Sequence, residues 1–187
     1  MPVSTVSIRP YRLADEPSWL RCRLLGFFDT DYYDDVWTSR PSFDNPSVQL
    51  VAVDGDQVVG LLDVEIDGNL ATIHTVAVHP DARRRGIATA LLDRALADLP
   101  SGASTLDAWT REDDAANSWY RRTGFVEEQR YLHVYKEWDE PAHSFAAPPG
   151  LSAPVSAFMH APIELEGQMR ARFRRVHVCR RYVKSFC

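Results

Sequence analysis

The sequence predicts a mixed α/β fold: a mostly antiparallel central β-sheet flanked by helices, with an insertion before the last strand. Three observations predict it. Strand-like runs at 50–53, 57–66 and 70–78 are joined by Asp54-Gly55-Asp56 and Asp67-Gly68-Asn69, two hairpin turns that make a three-strand meander. An apolar row, Ile87, Leu91, Ala95 and Leu99, then recurs at helical spacing. Short strand and helix patterns alternate after it, and hairpins combined with strand–helix–strand crossovers give a mixed sheet.

Each element has its own local signal. Thr5 to Arg9 reads as a first short strand. Asp15 stands at an N-cap position and Pro17 in the first turn of a helix that carries Leu20, Leu24 and Phe27 or Phe28 at helical spacing. A second short helix is expected near Asp31 to Thr38. In the helix that starts at Ile87, Ala88, Leu92 and Leu96 form a second row, and Pro100 stops it because proline cannot continue the hydrogen-bond ladder. Leu106 to Trp109 is the next strand. Asp113 or Asp114 caps a helix that runs to Thr123, and Gly124 supplies its C-terminal turn. Gln129 to Lys136 is another strand, with Leu132 and Val134 on one face. Pro141, Pro148, Pro149, Gly150 and Pro154 mark 139–154 as a loop. Pro162 then opens a helix with Leu165, Met169 and Phe173 on one apolar face, and Val176 to Val183 is the last strand. The segment 139–174 is thus an insertion in a single domain of residues 1–187, since it is too short for a core of its own.

Composition narrows the function classes. The chain has 187 residues, 45% hydrophobic and 25% charged, with a formal net charge of -5, so bulk attraction to nucleic acid is not expected. No window reaches the apolar length of a membrane span, and Met1-Pro2-Val3-Ser4 does not begin a signal peptide. Three widely spaced cysteines, Cys22, Cys179 and Cys187, argue against a disulfide framework or a zinc site and fit a reducing cytoplasm. Cys22 falls in the first helical pattern as buried packing.

The chemistry concentrates in Val76-Ala77-Val78-His79-Pro80-Asp81-Ala82-Arg83-Arg84-Arg85-Gly86-Ile87-Ala88-Thr89. A strand stops at a turn, three arginines and one glycine follow, and a helix begins. The first amides of a helix have no intrahelical partners and carry partial positive charge, so this order builds an anion cradle for a phosphorylated cofactor. It is not a Walker loop, because no Gly-Lys-Ser or Gly-Lys-Thr follows, and with one glycine it is not a dinucleotide fingerprint.

Arg83-x-x-Gly86-x-Ala88 after a Val-Ala-Val strand resembles the pyrophosphate loop of the GNAT superfamily of N-acyltransferases. Asp113-Asp114-Ala115-Ala116-Asn117-Ser118-Trp119-Tyr120-Arg121-Arg122-Thr123-Gly124-Phe125 resembles its second signature, a capped helix with small residues, an aromatic-Tyr pair and a Gly-Phe turn. The resemblance covers residues 5–136 and the last strand. It implies the GNAT fold and acetyl-coenzyme A (acetyl-CoA) as co-substrate, bound in a splay between parallel strands 72–78 and 104–109. It implies further that backbone of Val76, Ala77 and Val78 pairs with pantetheine. Arg83, Arg84 and Arg85, with the amides of Gly86, Ile87, Ala88 and Thr89, would hold the pyrophosphate. Asp113, where the family often has Asn, and Ala116 would flank the pantetheine arm. Tyr120 would sit beside the thioester sulfur as general acid, because a phenol can protonate a thiolate.

The base is left open. Relatives often place Glu where this chain has Thr72. The substitutes are His74, and Asp63 or Glu65 on the preceding strand; a two-residue loop within Asp67-Gly68-Asn69, by either choice, sets all of them on one face, whereas a three-residue loop shifts the register by one and breaks this. Imidazole is the side chain whose ordinary titration falls near neutrality. Deprotonation by water is the alternative. Phe27-Phe28-Asp29-Thr30-Asp31-Tyr32-Tyr33-Asp34-Asp35-Val36-Trp37 interleaves acids with aromatics and suits a cationic amine, or forms an acidic solvated loop. Arg170, Arg172, Arg174, Arg175, Arg180, Arg181 and Lys184 read as a solvated face rather than a nucleic-acid patch. The expected function is transfer of an acetyl group from acetyl-CoA to a primary amine of a small molecule or peptide, by a monomer or homodimer. The rival is a non-catalytic module that binds coenzyme A or a partner.

Overall fold

The computed structural model describes residues 6–141 and 145–186. Eight strands form one sheet in the order β1-β2-β3-β4-β5-β8-β6-β7. They are β1 (Ser7–Pro10), β2 (Ser47–Asp54), β3 (Gln57–Asp67), β4 (Leu70–Val78), β5 (Thr105–Thr110), β6 (Val126–Lys136), β7 (Ala157–Ala161) and β8 (Arg175–Ser185). All neighbouring pairs are antiparallel except β4–β5, so the sheet is mixed and mostly antiparallel. Thr5, at the start of the expected first strand, and Cys187 lie outside the described residues. No helix among the described residues is long and apolar enough to cross a membrane.

Helix α2 (Ile87–Asp98) packs its Ile87, Leu91, Leu92 and Ala95 on one sheet face, over Leu50, Leu62, Val64 and Ile73. Helix α1 (Glu16–Phe28) covers the other face with Trp19 and Cys22, over Val51, Leu61 and Ala77. The expected row in α1 needs correction: Leu24 is 42% exposed, and the buried positions are Trp19, Cys22, Arg23 and Gly26. Gly26 lies so close to β4 that a Cβ there would stand 3.1 Å from the Ala77 Cβ, so a small residue faces the sheet. Asp15 occupies the N-cap of α1 but makes no cap bond, because its carboxylate is held by Arg9 at 2.7 Å and by the Arg12 amide.

The helix expected near Asp31 to Thr38 does not form. Residues 29–34 make turns with bonds from Tyr33 N to Thr30 O and from Asp35 N to Tyr32 O. Asp34 and Asp35 are drawn instead to Arg175 and Arg23, in ion pairs of 2.5 and 2.6 Å. Pairing with distant arginines replaces the repulsion that clustered acids would suffer along a helix.

After the proline-rich loop the chain forms β7, a strand that five residues without clear alternation did not announce. The helix expected from Pro162 is a 3-10 turn, Ile163–Leu165, followed by α4 (Glu166–Arg172). Met169 and Phe173 pack onto Leu132, Val134, Val176 and Val178, but Leu165 remains exposed, since the change of helix type breaks the common face. The basic residues of this region are largely paired, Arg170 with Glu112 and Glu166, Arg180 with Glu127, and Arg181 with Asp107.

Candidate active site

Two local devices open the sheet. Asp67 pairs with Leu70, so Gly68-Asn69 is a two-residue turn and Glu65 lies opposite Thr72. Val64 then pairs with Ile73 but Asp63 with Thr75, which leaves His74 as the extra residue of a β-bulge. The parallel pairing of β4 with β5 runs from Leu70↔Thr105 to Ile73↔Ala108 and stops there. From the bulge onward, the edge of residues 74–78 that faces β5 carries no strand. A cleft of about 610 Å³ passes through this split. It is lined by the loop after β4, by Ile73 to Val78, by Trp109 and Thr110, and by α3 (Asp114–Arg122).

At one end lies the loop Arg83 to Thr89. Arg84 has φ 62 and Gly86 φ 77, both left-handed, with Gly86 at the N-cap of α2. Backbone of this kind gathers amides into an anion-binding concavity. The three arginines differ in availability. Arg83 Nη2 donates to the Gly26 carbonyl at 2.9 Å, and Arg85 meets Asp54 at 3.4 Å without lining the cleft. Arg84 lines the cleft and has no protein partner among the described residues.

Helix α3 forms the opposite wall. Ala115 and Ala116 line the cleft without side-chain bulk. Trp119 Nε1 donates to Thr89 Oγ1 at 3.2 Å and ties α3 to α2 across the cleft. Asp113 sits at the N-cap, yet its carboxylate accepts from the Asp31 amide at 3.2 Å instead of capping. Burial and then Asp31 raise its pKa. Asn117 is internal: its amide donates to the Arg111 and Asp113 carbonyls and accepts from the Tyr182 hydroxyl. Tyr120 is buried, stacked on Tyr182 at 5.2 Å and edge-on to Phe125, and lines the cleft. Burial first, then Tyr182, holds its phenol above the ordinary range, so it stays protonated.

At the other end, the structure brings His74 and Glu65 together, Nε2 to Oε2 at 2.9 Å. Glu65 also accepts from the Asn45 amide at 3.3 Å. Only His74 of the base candidates lines the cleft. Thr72 does not line it, and its hydroxyl donates to Asp107 at 2.7 Å. Asp63 is 0% exposed and stands 2.7 Å from Arg40. That contact is close but poorly aligned, for neither Asp63 oxygen accepts a hydrogen bond among the described residues. Burial, offset by Arg40, pushes its carboxyl up to about 6. Its register partner Thr75 lines the cleft with a buried hydroxyl that also has no partner there. Unmet buried polar groups beside a cleft mark a place that a polar ligand atom or water fits.

Sequence reasoning missed Arg23, Trp109 and Thr75 in the wall, whereas Trp37 belongs to the acidic–aromatic segment it singled out. Arg23 stacks on Trp37 at 3.4 Å and Phe27 at 4.7 Å while bonding Asp35, so the acidic–aromatic segment is both a wall and a set of paired acids. Its alternation of acids and aromatics was the available signal; nothing local pointed to Thr75 or Trp109.

The family model described as acetyltransferase (GNAT) domain matches residues 45–127. The chain is 34% identical over 120 residues to a protein of Sodalis glossinidius named an acetyltransferase, covering 63% of this chain and 82% of that protein. Among solved structures, the ribosomal-protein-S18-alanine N-acetyltransferase of Escherichia coli superposes with a TM-score of 0.60 at 14% identity, over 97% of this chain and 94% of that one. The PaiA N-acetyltransferase of Thermoplasma acidophilum, in complex with coenzyme A, gives 0.56 at 14% identity, over 66% and 91%.

Proposed function

Because this chain belongs to the GNAT acetyltransferase family and uses acetyl-CoA as co-substrate, we propose that it transfers the acetyl group to a primary amine of a small molecule or peptide by direct attack. The single observation that carries this reading is the split of β4 from β5 at Ile73/Ala108, which opens the cleft between the amides at 84–89 and Tyr120. The reading takes residues 1–187 as one domain in a reducing cytoplasm. Its support is that β8, which follows the insertion, lies between β5 and β6, and that Cys22 and Cys179 are free thiols.

In this proposal the amides of Gly86 to Thr89 and the Arg84 guanidinium hold the pyrophosphate, while Arg83 and Arg85 shape the loop. The open edge at Val76, Ala77 and Val78 takes the pantetheine amides, with Asp113 and Ala116 alongside. Acetyl-CoA supplies an activated carbonyl and a thiol leaving group. A cationic acceptor sheds one proton before attack and a second as the N–C bond forms and the C–S bond breaks; the sulfur takes one. Tyr120 holds a proton for the sulfur. His74, oriented by Glu65, accepts from the acceptor, with Asp63 behind the wall as a further charge.

The test is thiol release from acetyl-CoA across a panel of primary amines and short peptides. Turnover with at least one amine is the expected result. Tight acetyl-CoA binding in calorimetry with no thiol release from any acceptor would favour a non-catalytic module instead.

A further inference from the structure

Strands β5, β6, β7 and β8 carry an aromatic band on the sheet face that α1 occupies further along. Trp109 of β5 stands edge-on to Tyr131 of β6 at 5.1 Å. Tyr131 meets His160 of β7 at 4.8 Å, and His133 stacks on His160 at 5.1 Å. Phe158 of β7 closes on Tyr135 at 4.8 Å and His133 at 4.9 Å. Cross-strand register places them together: His133 lies opposite His160, and Tyr135 opposite Phe158.

The opposite face of the same strands is ordinary core, Leu132, Val134, Val176 and Val178 under Phe173. The band face is mixed instead: its rings lie among His133, His160, His177, Arg175 and Arg181. A sheet face without a covering element is usually polar. Here Trp109 is 39% and Phe158 51% exposed. Turns at 29–34 cover one end, where Arg175 stacks on Tyr135 and binds Asp34. The other end runs into the cleft, because Trp109 is part of its wall.

The arginines on this face are paired, Arg175 with Asp34 among them. Arg111 is spent on Tyr135 and His133, and Arg181 on Asp107. Arg111 donates to His133 Nδ1 at 3.2 Å, so His133 Nε2 carries the hydrogen toward the Tyr131 hydroxyl at 2.9 Å. Burial and Arg111 push the imidazole down to about 3, which keeps it a neutral ring. From β5 across β8 and β6 to β7 are three strand spacings, about 14 Å at ~4.8 Å each. That matches about four residues of extended chain.

Resting on the acetyl-transfer reading above, we propose that the acceptor is a polypeptide whose amine enters the split beside His74 while aromatic side chains of its next few residues lie along the band formed by Trp109, Tyr131, His160 and Phe158. The insertion strand β7 is then a specificity element, since it supplies His160 and Phe158.

The test uses fluorescently labelled six-residue peptides with Phe or Ser at positions two to four, titrated into the full chain saturated with coenzyme A and read by anisotropy. The Phe peptide should bind about tenfold tighter or more, as expected for a few aromatic contacts. Phe158→Ser and His160→Ser should remove most of that preference without changing acetyl-CoA affinity, and Phe158→Leu should restore part of it. Equal binding of Phe and Ser peptides, or an intact preference in both serine variants with native circular dichroism, would overturn the proposal. So would phenethylamine competing as well as the Phe peptide. Acetyl-CoA binding to the wild type and both serine variants is measured separately by calorimetry, and its failure in the wild type strikes the acetyl-transfer reading instead.

Discussion

At the scale of single residues, burial sets the protonation states that the proposed chemistry needs. Tyr120 sits behind Trp119, Phe125 and Tyr182, and its phenol keeps its proton. Tyr120→Phe should therefore slow turnover about 10²-fold while leaving acetyl-CoA affinity nearly intact, in steady-state kinetics beside calorimetry. An equal rate would reduce Tyr120 to packing. Asp63 shows burial acting on a base. Its folded pKa of about 6 lies above the ordinary value of 3.8, so the folded state binds the extra proton between those values. Its contribution to stability is present below pH ~4 and is lost as pH rises through ~6. Thermal melts of the wild type and Asp63→Asn across that window should diverge accordingly, the wild type losing more stability with rising pH. Parallel curves would mean that Arg40 compensates the carboxylate fully.

At the scale of elements, two glycines with different physics hold the site. Gly86 starts α2 at φ 77, a backbone that other residues adopt with strain, and no atom lies near its absent Cβ. Gly86→Glu combines that strain with a negative charge at an anion cradle, and acetyl-CoA binding in calorimetry should vanish. Unchanged affinity would refute the loop assignment. Gly26 is set by space instead. A Cβ would meet Ala77 Cβ at 3.1 Å and the Val78 carbonyl at 3.3 Å, in the strand that forms the cleft wall. Gly26→Val should cost about 1–3 kcal/mol in denaturant unfolding through overpacking. It should also weaken acetyl-CoA binding, since Arg83 hangs its guanidinium on the Gly26 carbonyl.

At the scale of the molecule, the cleft joins elements distant in sequence: α1, β4, β5, α2 and α3 all line it. A ligand seated there links them and stabilises the whole fold by mass action. At about 100 times Kd, acetyl-CoA adds about 2.7 kcal/mol, a rise in Tm of roughly 5–10 °C for a domain of this size. Differential scanning fluorimetry should show that rise in the wild type and none in Gly86→Glu. A shift of equal size in both would move the binding site away from the loop.

The sequence by itself determined the features that depend on neighbours along the chain. Asp54-Gly55-Asp56 and Asp67-Gly68-Asn69 made hairpins, Pro100 ended α2, Gly124 at φ 85 ended α3, and Gly86 opened a helix with free amides. In each case the information is a local backbone preference of glycine or proline. Other outcomes were decided only by tertiary structure, because they depend on which partner wins. Asp31 to Thr38 gave up helix because Arg23 and Arg175 took its acids. Hairpin counting would leave His74, Glu65 and Asp63 in one flush register, but the bulge at His74 offsets them. It leaves His74 on the cleft with Glu65 and sends Asp63 to Arg40 in the interior. The strand β7 exists through pairing with β6, and five residues of weak pattern held no signal for that. A bulge, a long-range ion pair and an added edge strand each depend on contacts between segments far apart in the chain, where local propensity is silent.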